Sequence, residues 1–195
     1  MNARAIFMRG LPLWYFLLLF FFYGYRQVSF SMMNKIAGLL ALMLLGTSFL
    51  IGPLSYFLPQ VFTQFKIYRK YLGISGFAVA VIHALLSFYS YFNMNLAFML
   101  FDSKNEHLLG VWLGILAILI FLTMTVTSTK KAIEMMGAAN WKKLQTGGYL
   151  ALGLVMAHFI FMETNNGLFI ILVVLIARLL VLLLSLKKKK KNNNE

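Results

Sequence analysis

Long apolar stretches recur along this chain and are separated by short polar or charged segments. A helix needs about 20 apolar residues to cross the hydrocarbon core of a bilayer. The pattern predicts six membrane-spanning helices, at residues 11–25, 36–58, 71–93, 108–128, 145–163 and 167–186. The first stretch could instead be a signal peptide, but only Tyr23-Gly24-Tyr25-Arg26-Gln27 follows it, and this segment offers no small-residue cleavage site. The sequence therefore predicts an all-α integral membrane protein, a bundle of six transmembrane helices.

The composition agrees with a membrane protein, and six apolar stretches in 195 residues leave little of the chain for a soluble domain. Hydrophobic residues make up 61% of the chain, and its mean hydropathy is +0.81. We divide the chain into a basic N-terminal segment with the first helix (1–35), one transmembrane domain (36–186) and a Lys/Asn-rich tail (187–195) that we expect to be disordered. The lipid bilayer is thus the first predicted partner.

The charged loops alternate between two sides of the predicted bundle. One side collects Arg4, Arg9, Lys66, Arg69, Lys70, Lys130, Lys131, Lys142, Lys143 and the terminal lysines. Because cytoplasmic loops carry an excess of Lys and Arg, this side is predicted to face the cytoplasm, with both termini on it. The location predicted for the chain is a bacterial-type plasma (inner) membrane, crossed several times.

Charge and cysteine content exclude several classes of function. The net charge of +13 does not indicate a nucleic-acid partner, because the basic residues cluster at the ends of apolar stretches, where they set topology. The chain has no cysteine, so a disulfide framework, a covalently attached haem and a cysteine-ligated iron–sulfur cluster are excluded.

Two histidines, His83 and His158, lie deep within two different apolar stretches. Both stretches enter from the predicted cytoplasmic side, and both rings lie roughly 18–20 Å from that face at about 1.5 Å per residue. Ionisable residues inside a membrane are rare and usually functional. Two imidazoles at one depth could hold a single metal ion, and a haem iron takes two axial ligands. The competing interpretation is that each histidine merely hydrogen-bonds a neighbouring helix.

Small residues share a helix face with each histidine. They are Gly76 and Ala80 in the third span, and Gly147 and Ala151 in the fifth. They could leave room for a flat macrocycle between the helices, or they could simply let helices pack closely in lipid.

Two further polar residues have an ordinary interpretation and a sharper one. His107, at the outer start of the fourth span, is expected to be an interfacial residue, and the alternative is that it covers a haem edge. Arg178, within the last span, is expected to extend its side chain to the inner headgroups, and a cofactor or quinone contact is the alternative.

Other activities have little support. The chain shows no Ser/His/Asp set, no Gly-rich phosphate loop and no acidic residue in mid-membrane, and this last absence argues against a proton-coupled transporter. A transporter with inverted repeats would show an internal repeat, and none is evident in the sequence.

Residues 36 to 186 resemble the ferric-reductase-like transmembrane domain family, and most closely its MsrQ branch, the haem-bearing membrane subunits of periplasmic methionine sulfoxide reductase systems. The resemblance lies in Tyr68-Arg69-Lys70-Tyr71-Leu72-Gly73 followed by Ile82-His83-Ala84-Leu85, in Thr127-Ser128-Thr129, and in Trp141-Lys142-Lys143-Leu144 followed by Ala157-His158-Phe159. It implies a b-type cytochrome whose haem b has His83 and His158 as axial ligands.

The chain departs from the family at the inner membrane face. Gln145 stands where relatives usually carry an inner histidine, and Arg69 and Lys70 stand where two-haem relatives carry another. The resemblance therefore implies one haem b per chain. A separate donor, a quinol or a cytoplasmic reductase, would supply electrons, with any quinone or flavin brought by a partner. The acceptor at the outer face would be a periplasmic protein or ferric iron.

This resemblance implies that the chain is an electron-transfer subunit, that is, a component of an oxidoreductase. The missing inner histidine also fits an alternative, a haem-free scaffold or assembly protein derived from the same family. A small transporter or channel is the third hypothesis.

Overall fold

The computed structural model describes residues 29–162 and 168–192, and the regular secondary structure in these ranges is entirely helical. The first part of the chain contains α1 (Phe30–Phe57), α2 (Pro59–Phe62), a 3-10 helix (Thr63–Tyr68) and α3 (Arg69–Ser90). The second part contains α4 (Leu96–Phe101), α5 (Leu108–Val126), α6 (Lys130–Met136), α7 (Ala138–Phe161) and α8 (Leu168–Asn192). The all-α prediction is thereby confirmed for the described ranges.

Four helical segments among the described residues are long and apolar enough to cross a membrane. They are Phe30–Phe57, Pro59–Ser90, Leu108–Val126 and Ala138–Phe161, and α8 adds a shorter apolar stretch at Ile171–Leu184. Five of the six predicted spans thus correspond to described helices. The predicted first span, 11–25, lies outside the described residues, so the count of six and the cytoplasmic termini stay predictions.

Local chemistry sets the helix boundaries, which differ from the apolar boundaries predicted above. Helix α1 begins well before residue 36 because the Ser29 side chain caps it, accepting a hydrogen bond from the backbone N–H of Met32 at 3.3 Å. It ends at Phe57 because Leu58, which precedes Pro59, leaves the helical conformation (φ −129°, ψ 66°), as residues before proline tend to do. Gly137 separates α6 from α7 with φ +75°, a conformation that favours glycine.

The long helices pack as two antiparallel hairpins, α1 with α3 and α5 with α7, and α8 packs mainly on α1. In the first hairpin the contact is lined by Ala37 and Ala41 of α1 and Val79 of α3, all at most 5% exposed. Small side chains let two helices approach closely in lipid, where no hydrophobic effect draws them together. Helices α3 and α7 pack chiefly on their hairpin partners rather than on each other.

One apolar core joins the two hairpins to α8. Its fully buried members come from all three units and are Leu42, Leu45, Phe49, Ala117, Phe121, Met124, Ala151, Leu152, Ile171 and Val174. Large apolar side chains such as Leu85, Leu150 and Leu179 are more than half exposed on the outside of the bundle. In a membrane this outer surface would contact lipid tails, so its exposure has no hydrophobic cost.

The core predicts a difference between two glycines of α7. A Cβ at Gly148 would lie 2.2 Å from Phe49 Cζ and 2.8 Å from Met124 Cε, whereas a Cβ at Gly153 would have nothing within 4 Å. Gly148→Ala should lower the free energy of unfolding by about 1–3 kcal/mol, as overpacked cores do. Gly153→Ala should raise it slightly, because alanine favours helix. Unfolding titrations in mixed micelles measure both, and equal stabilities would contradict this packing.

Candidate functional site

His83 and His158, predicted at one depth from the sequence, meet in the structure. His83 lies in α3 and His158 in α7, each nearer the C-terminal end of its helix. The two ring centroids are 6.3 Å apart and the ring planes are nearly perpendicular, at 87°. Because each histidine comes from a different hairpin, the pair lies where the two hairpins face each other.

Each imidazole makes the same hydrogen bond to a neighbouring helix. His83 Nδ1 is 3.0 Å from the backbone oxygen of Asn34 in α1, and His158 Nδ1 is 2.8 Å from that of Gly110 in α5. A carbonyl oxygen can only accept a hydrogen bond, so Nδ1 carries the proton in both rings. In a neutral imidazole, Nε2 then keeps its lone pair, which is the form that binds metals.

The spacing of the rings fits one metal ion between them. A metal–imidazole bond of about 2 Å, with about 1.1 Å from nitrogen to ring centre, separates the centroids of two opposed ligands by roughly 6 Å. The observed separation is 6.3 Å. The described residues contain no group of three or more His, Cys, Asp or Glu side chains placed to hold a metal. A haem iron needs only two ligands from the protein, and two imidazoles at this separation could supply them.

Asn34 also connects α1 to α3 through its side chain. It is only 3% exposed, and its Oδ1 accepts a hydrogen bond from Ser87 Oγ at 3.1 Å, one turn beyond His83. Buried amides are normally hydrogen-bonded. One residue of α1 therefore accepts two hydrogen bonds from α3 and fixes the depth at which His83 lies.

The structure locates the four small residues that the sequence proposed as haem-facing. A Cβ on Gly76 would lie 2.7 Å from Leu45 Cγ, Ala80 packs beside Ala37 and Ala41, and Ala151 is fully buried in the core. These three therefore lie in helix packing. Gly147 differs, because a Cβ there would have nothing within 4 Å. A contact between these residues and a haem stays a prediction.

The remaining polar candidates lie away from the histidine pair or at its margin. His107 precedes the first residue of α5, and its Nδ1 is 3.4 Å from the backbone oxygen of Phe161, a long hydrogen bond. The guanidinium carbon of Arg178 lies 5.2 Å from the centre of the Tyr149 ring, a cation–π contact that the sequence did not predict. His107 and Arg178 thus each have an interaction partner within the protein itself.

The N-terminal halves of α3 and α7 repeat the hydrogen-bond pattern with different side chains. Arg69 Nε donates to the backbone oxygen of Ser48 at 3.2 Å, and Gln145 Nε2 donates to that of Met124 at 3.4 Å. Both pairs are separated by 21 residues, and the His83–Asn34 and His158–Gly110 pairs by 49 and 48. The two hairpins therefore share one hydrogen-bond spacing, although no repeat is evident in the sequence.

The sequence analysis missed two glycines beside the rings. A Cβ on Gly38 would lie 3.0 Å from His83 Nδ1, and one on Gly114 would lie 3.0 Å from His158 Nδ1. One signal was present, since Gly110 and Gly114 form a Gly-x-x-x-Gly pattern, which is typical of close helix contacts in membranes.

Comparison with known proteins supports the family that these histidines suggested. The family described as ferric reductase like transmembrane component matches residues 37–156, which include His83 and Gly110, whereas Asn34 and His158 lie just outside the matched range. This match does not distinguish the MsrQ branch from the rest of the family.

Two curated proteins are similar to part of the chain. The magnetosome protein MamZ of Magnetospirillum gryphiswaldense is 33% identical over 116 residues, 58% of this chain and 18% of MamZ. The MamZ of Paramagnetospirillum magneticum is 31% identical over 93 residues, 48% of this chain and 14% of that protein. The alignments thus cover less than a fifth of these relatives. The family match is the broader one, and by it the chain belongs to the ferric reductase like transmembrane component family.

Proposed function

We propose that this protein is a transmembrane b-type cytochrome in which His83 and His158 are the two axial ligands of one haem. The observation that carries the proposal is the matched pair of imidazoles, 6.3 Å apart, each with Nδ1 held by a helix carbonyl. Bound there, a haem supplies a one-electron couple between ferric and ferrous iron. With both axial positions filled by protein, electron transfer is favoured over oxygen binding.

The chain's own residues perform three tasks in this proposal. His83 and His158 present Nε2 lone pairs, and the carbonyls of Asn34 and Gly110 orient the rings and raise their basicity as ligands. The surrounding helices exclude water, because the spans that carry the site are apolar. The apolar core that joins the two hairpins sets the separation of the rings, so the ligands are placed before a haem enters.

Membrane orientation gives the proposed electron path its direction. The basic loops predict that α3 and α7 begin at the cytoplasmic face, so the histidine pair would lie in the outer half of the membrane. An electron moving outward is favoured by the inside-negative potential, by up to about 2.3 kcal/mol per 100 mV for a full crossing. A quinol or a cytoplasmic reductase would supply the electron.

One haem per chain follows from the residues at the inner ends. Arg69 and Gln145, where two-haem relatives carry histidines, are engaged with the carbonyls of Ser48 and Met124. Neither guanidinium nor amide is a useful ligand for haem iron. We therefore propose a single outer haem.

Two acceptors fit an outer site, ferric iron and a periplasmic molybdoenzyme of the kind that MsrQ systems serve. The family's description as ferric reductase like favours ferric iron. The two relatives are named as magnetosome proteins, which places this membrane domain in bacterial proteins without naming an acceptor. Each ferric ion would take one electron and become ferrous.

A haem-free scaffold is the rival, since two satisfied imidazoles in contact could serve packing alone. Detergent-purified protein from haem-replete cells should show a sharp b-type spectrum in the reduced-minus-oxidised difference, with about one haem per chain. Pyridine haemochrome assay and protein quantification give the ratio. Well-folded protein without a chromophore would favour the scaffold, and two haems per chain would contradict the single-site assignment.

The axial assignment predicts which histidine variants lose haem. His83→Ala and His158→Ala should each abolish haem retention, because each removes one of only two protein ligands. His107→Ala is the matched control and should keep haem, since its ring bonds the backbone oxygen of Phe161 and is not part of the His83–His158 pair. Absorption spectra after affinity purification measure retention. A normal spectrum in either of the first two variants would end the assignment.

Ferric reduction can be tested in sealed vesicles with the outer face outward. With a quinol as donor and an impermeant ferric chelate outside, one ferrous ion should appear for each electron withdrawn. Vesicles with the His83→Ala variant should form ferrous iron only at the rate of protein-free vesicles. A ferrous-specific chelating dye follows the reaction. Equal rates in wild-type and His83→Ala vesicles would exclude ferric iron as the acceptor of electrons from this histidine pair.

A further inference from the structure

We propose that Gly38 and Gly114 are positioning residues that select the histidine tautomer required for iron binding. Each glycine lies four residues after the residue whose carbonyl holds the ring, Gly38 after Asn34 and Gly114 after Gly110. The link to iron binding rests on the proposed function, whereas the effect of the glycines on the histidine tautomer does not.

The spacing of four residues has a direct cause in helix geometry. In an α-helix the carbonyl of residue i already accepts the N–H of residue i+4, so residue i+4 is the nearest neighbour of that oxygen. A carbonyl has a second lone pair, which an imidazole can use if it reaches the oxygen. The side chain of residue i+4 is therefore the group that decides whether a ring fits.

The distances show why glycine favours the ring–carbonyl bond at this position. A Cβ at Gly38 would be 3.0 Å from both Cε1 and Nδ1 of His83. A Cβ at Gly114 would be 3.0 Å from Nδ1 and 3.2 Å from Cε1 of His158. These contacts are tighter than most that a Cβ makes, so each ring would have to give way by a few tenths of an ångström to admit a methyl group, which we propose weakens its bond to the carbonyl.

The same arrangement occurs in both hairpins, which favours a functional role over a coincidence of helix packing. In both hairpins the pattern is a carbonyl at i, a glycine at i+4, and a histidine 49 or 48 residues beyond the carbonyl. Stripes of small residues occur in any membrane bundle, but most contact a neighbouring helix, as Gly76 contacts Leu45. Gly38 and Gly114 instead contact imidazole rings.

The consequence is control over which nitrogen is free. An unconstrained neutral imidazole can carry its proton on Nδ1 or Nε2. The bond to the carbonyl keeps the proton on Nδ1 and leaves Nε2 for the metal. Without this hydrogen bond, the ring binds a metal ion less strongly through Nε2. The groups that hydrogen-bond metal-bound histidines typically contribute about 10–100-fold to metal affinity.

The first test uses the haem-free protein, so it does not depend on the proposed function. Nitrogen-15 NMR of the histidine rings in detergent micelles reports the tautomer, and the chain has only three histidines to assign. In the wild type His83 and His158 should both show a protonated Nδ1. Gly38→Ala should shift only the His83 signals toward the other tautomer, and Gly114→Ala only those of His158.

A matched control separates this effect from helix packing. Gly153→Ala adds the same methyl group to α7, the helix that carries His158, but at a position with nothing within 4 Å. It should leave every ring signal unchanged. Ring signals that stay at wild-type values in folded Gly38→Ala and Gly114→Ala would overturn the proposal, and so would equal shifts in the Gly153→Ala control.

The second test uses haem and separates the two proposals. Gly38→Ala and Gly114→Ala should each weaken haem binding by about 10–100-fold and move the reduction potential upward, because a less basic ligand stabilises ferric iron less. Haem titration and redox titration measure these changes. If the wild type binds no haem but the NMR shifts occur, the proposed function fails and the glycine assignment stands. Wild-type affinity and potential in both variants would overturn the assignment's link to iron.

Discussion

The sharing of one helix carbonyl between the helix itself and an imidazole is the interaction on which the rest of this structure depends. A ring N–H inside a membrane has no water to bond, and leaving it unpaired costs several kcal/mol. Here the carbonyls of Asn34 and Gly110 satisfy it. That solution demands close helices, and close helices demand small residues at the contact. The pairing of α1 with α3 and of α5 with α7 follows from these demands.

The sequence was sufficient for the helices and for the histidine pair, and the reason is physical. Apolar length is a strong constraint in a bilayer, so the spans at 36–58, 71–93, 108–128 and 145–163 correspond to α1, α3, α5 and α7. Depth along a straight helix is simple arithmetic, and equal depth placed His83 beside His158. Helix ends were less predictable, because caps such as Ser29 lie in the interface beyond the apolar residues.

What the sequence did not reveal involves backbone atoms and rotation about helix axes. Every residue has a carbonyl, so no residue type marks Asn34 or Gly110 as an acceptor. Periodicity placed Gly76 on the same face as His83 but did not show that it packs on Leu45. The hydrogen-bond spacing that the hairpins share was hidden, because one of its positions holds Arg69 in the first hairpin and Gln145 in the second, which share no side-chain chemistry beyond an N–H donor.

Each hairpin contributes one histidine, and this division has a consequence for how the protein is made. A nascent chain that has inserted only α1 and α3 holds half of the site and has nothing opposite His83. In the proposed cytochrome, iron chemistry would thus be withheld until the second hairpin has inserted and docked. A chain ended early would remain redox-silent in the membrane, and the colour of the protein would report completed biogenesis rather than synthesis alone.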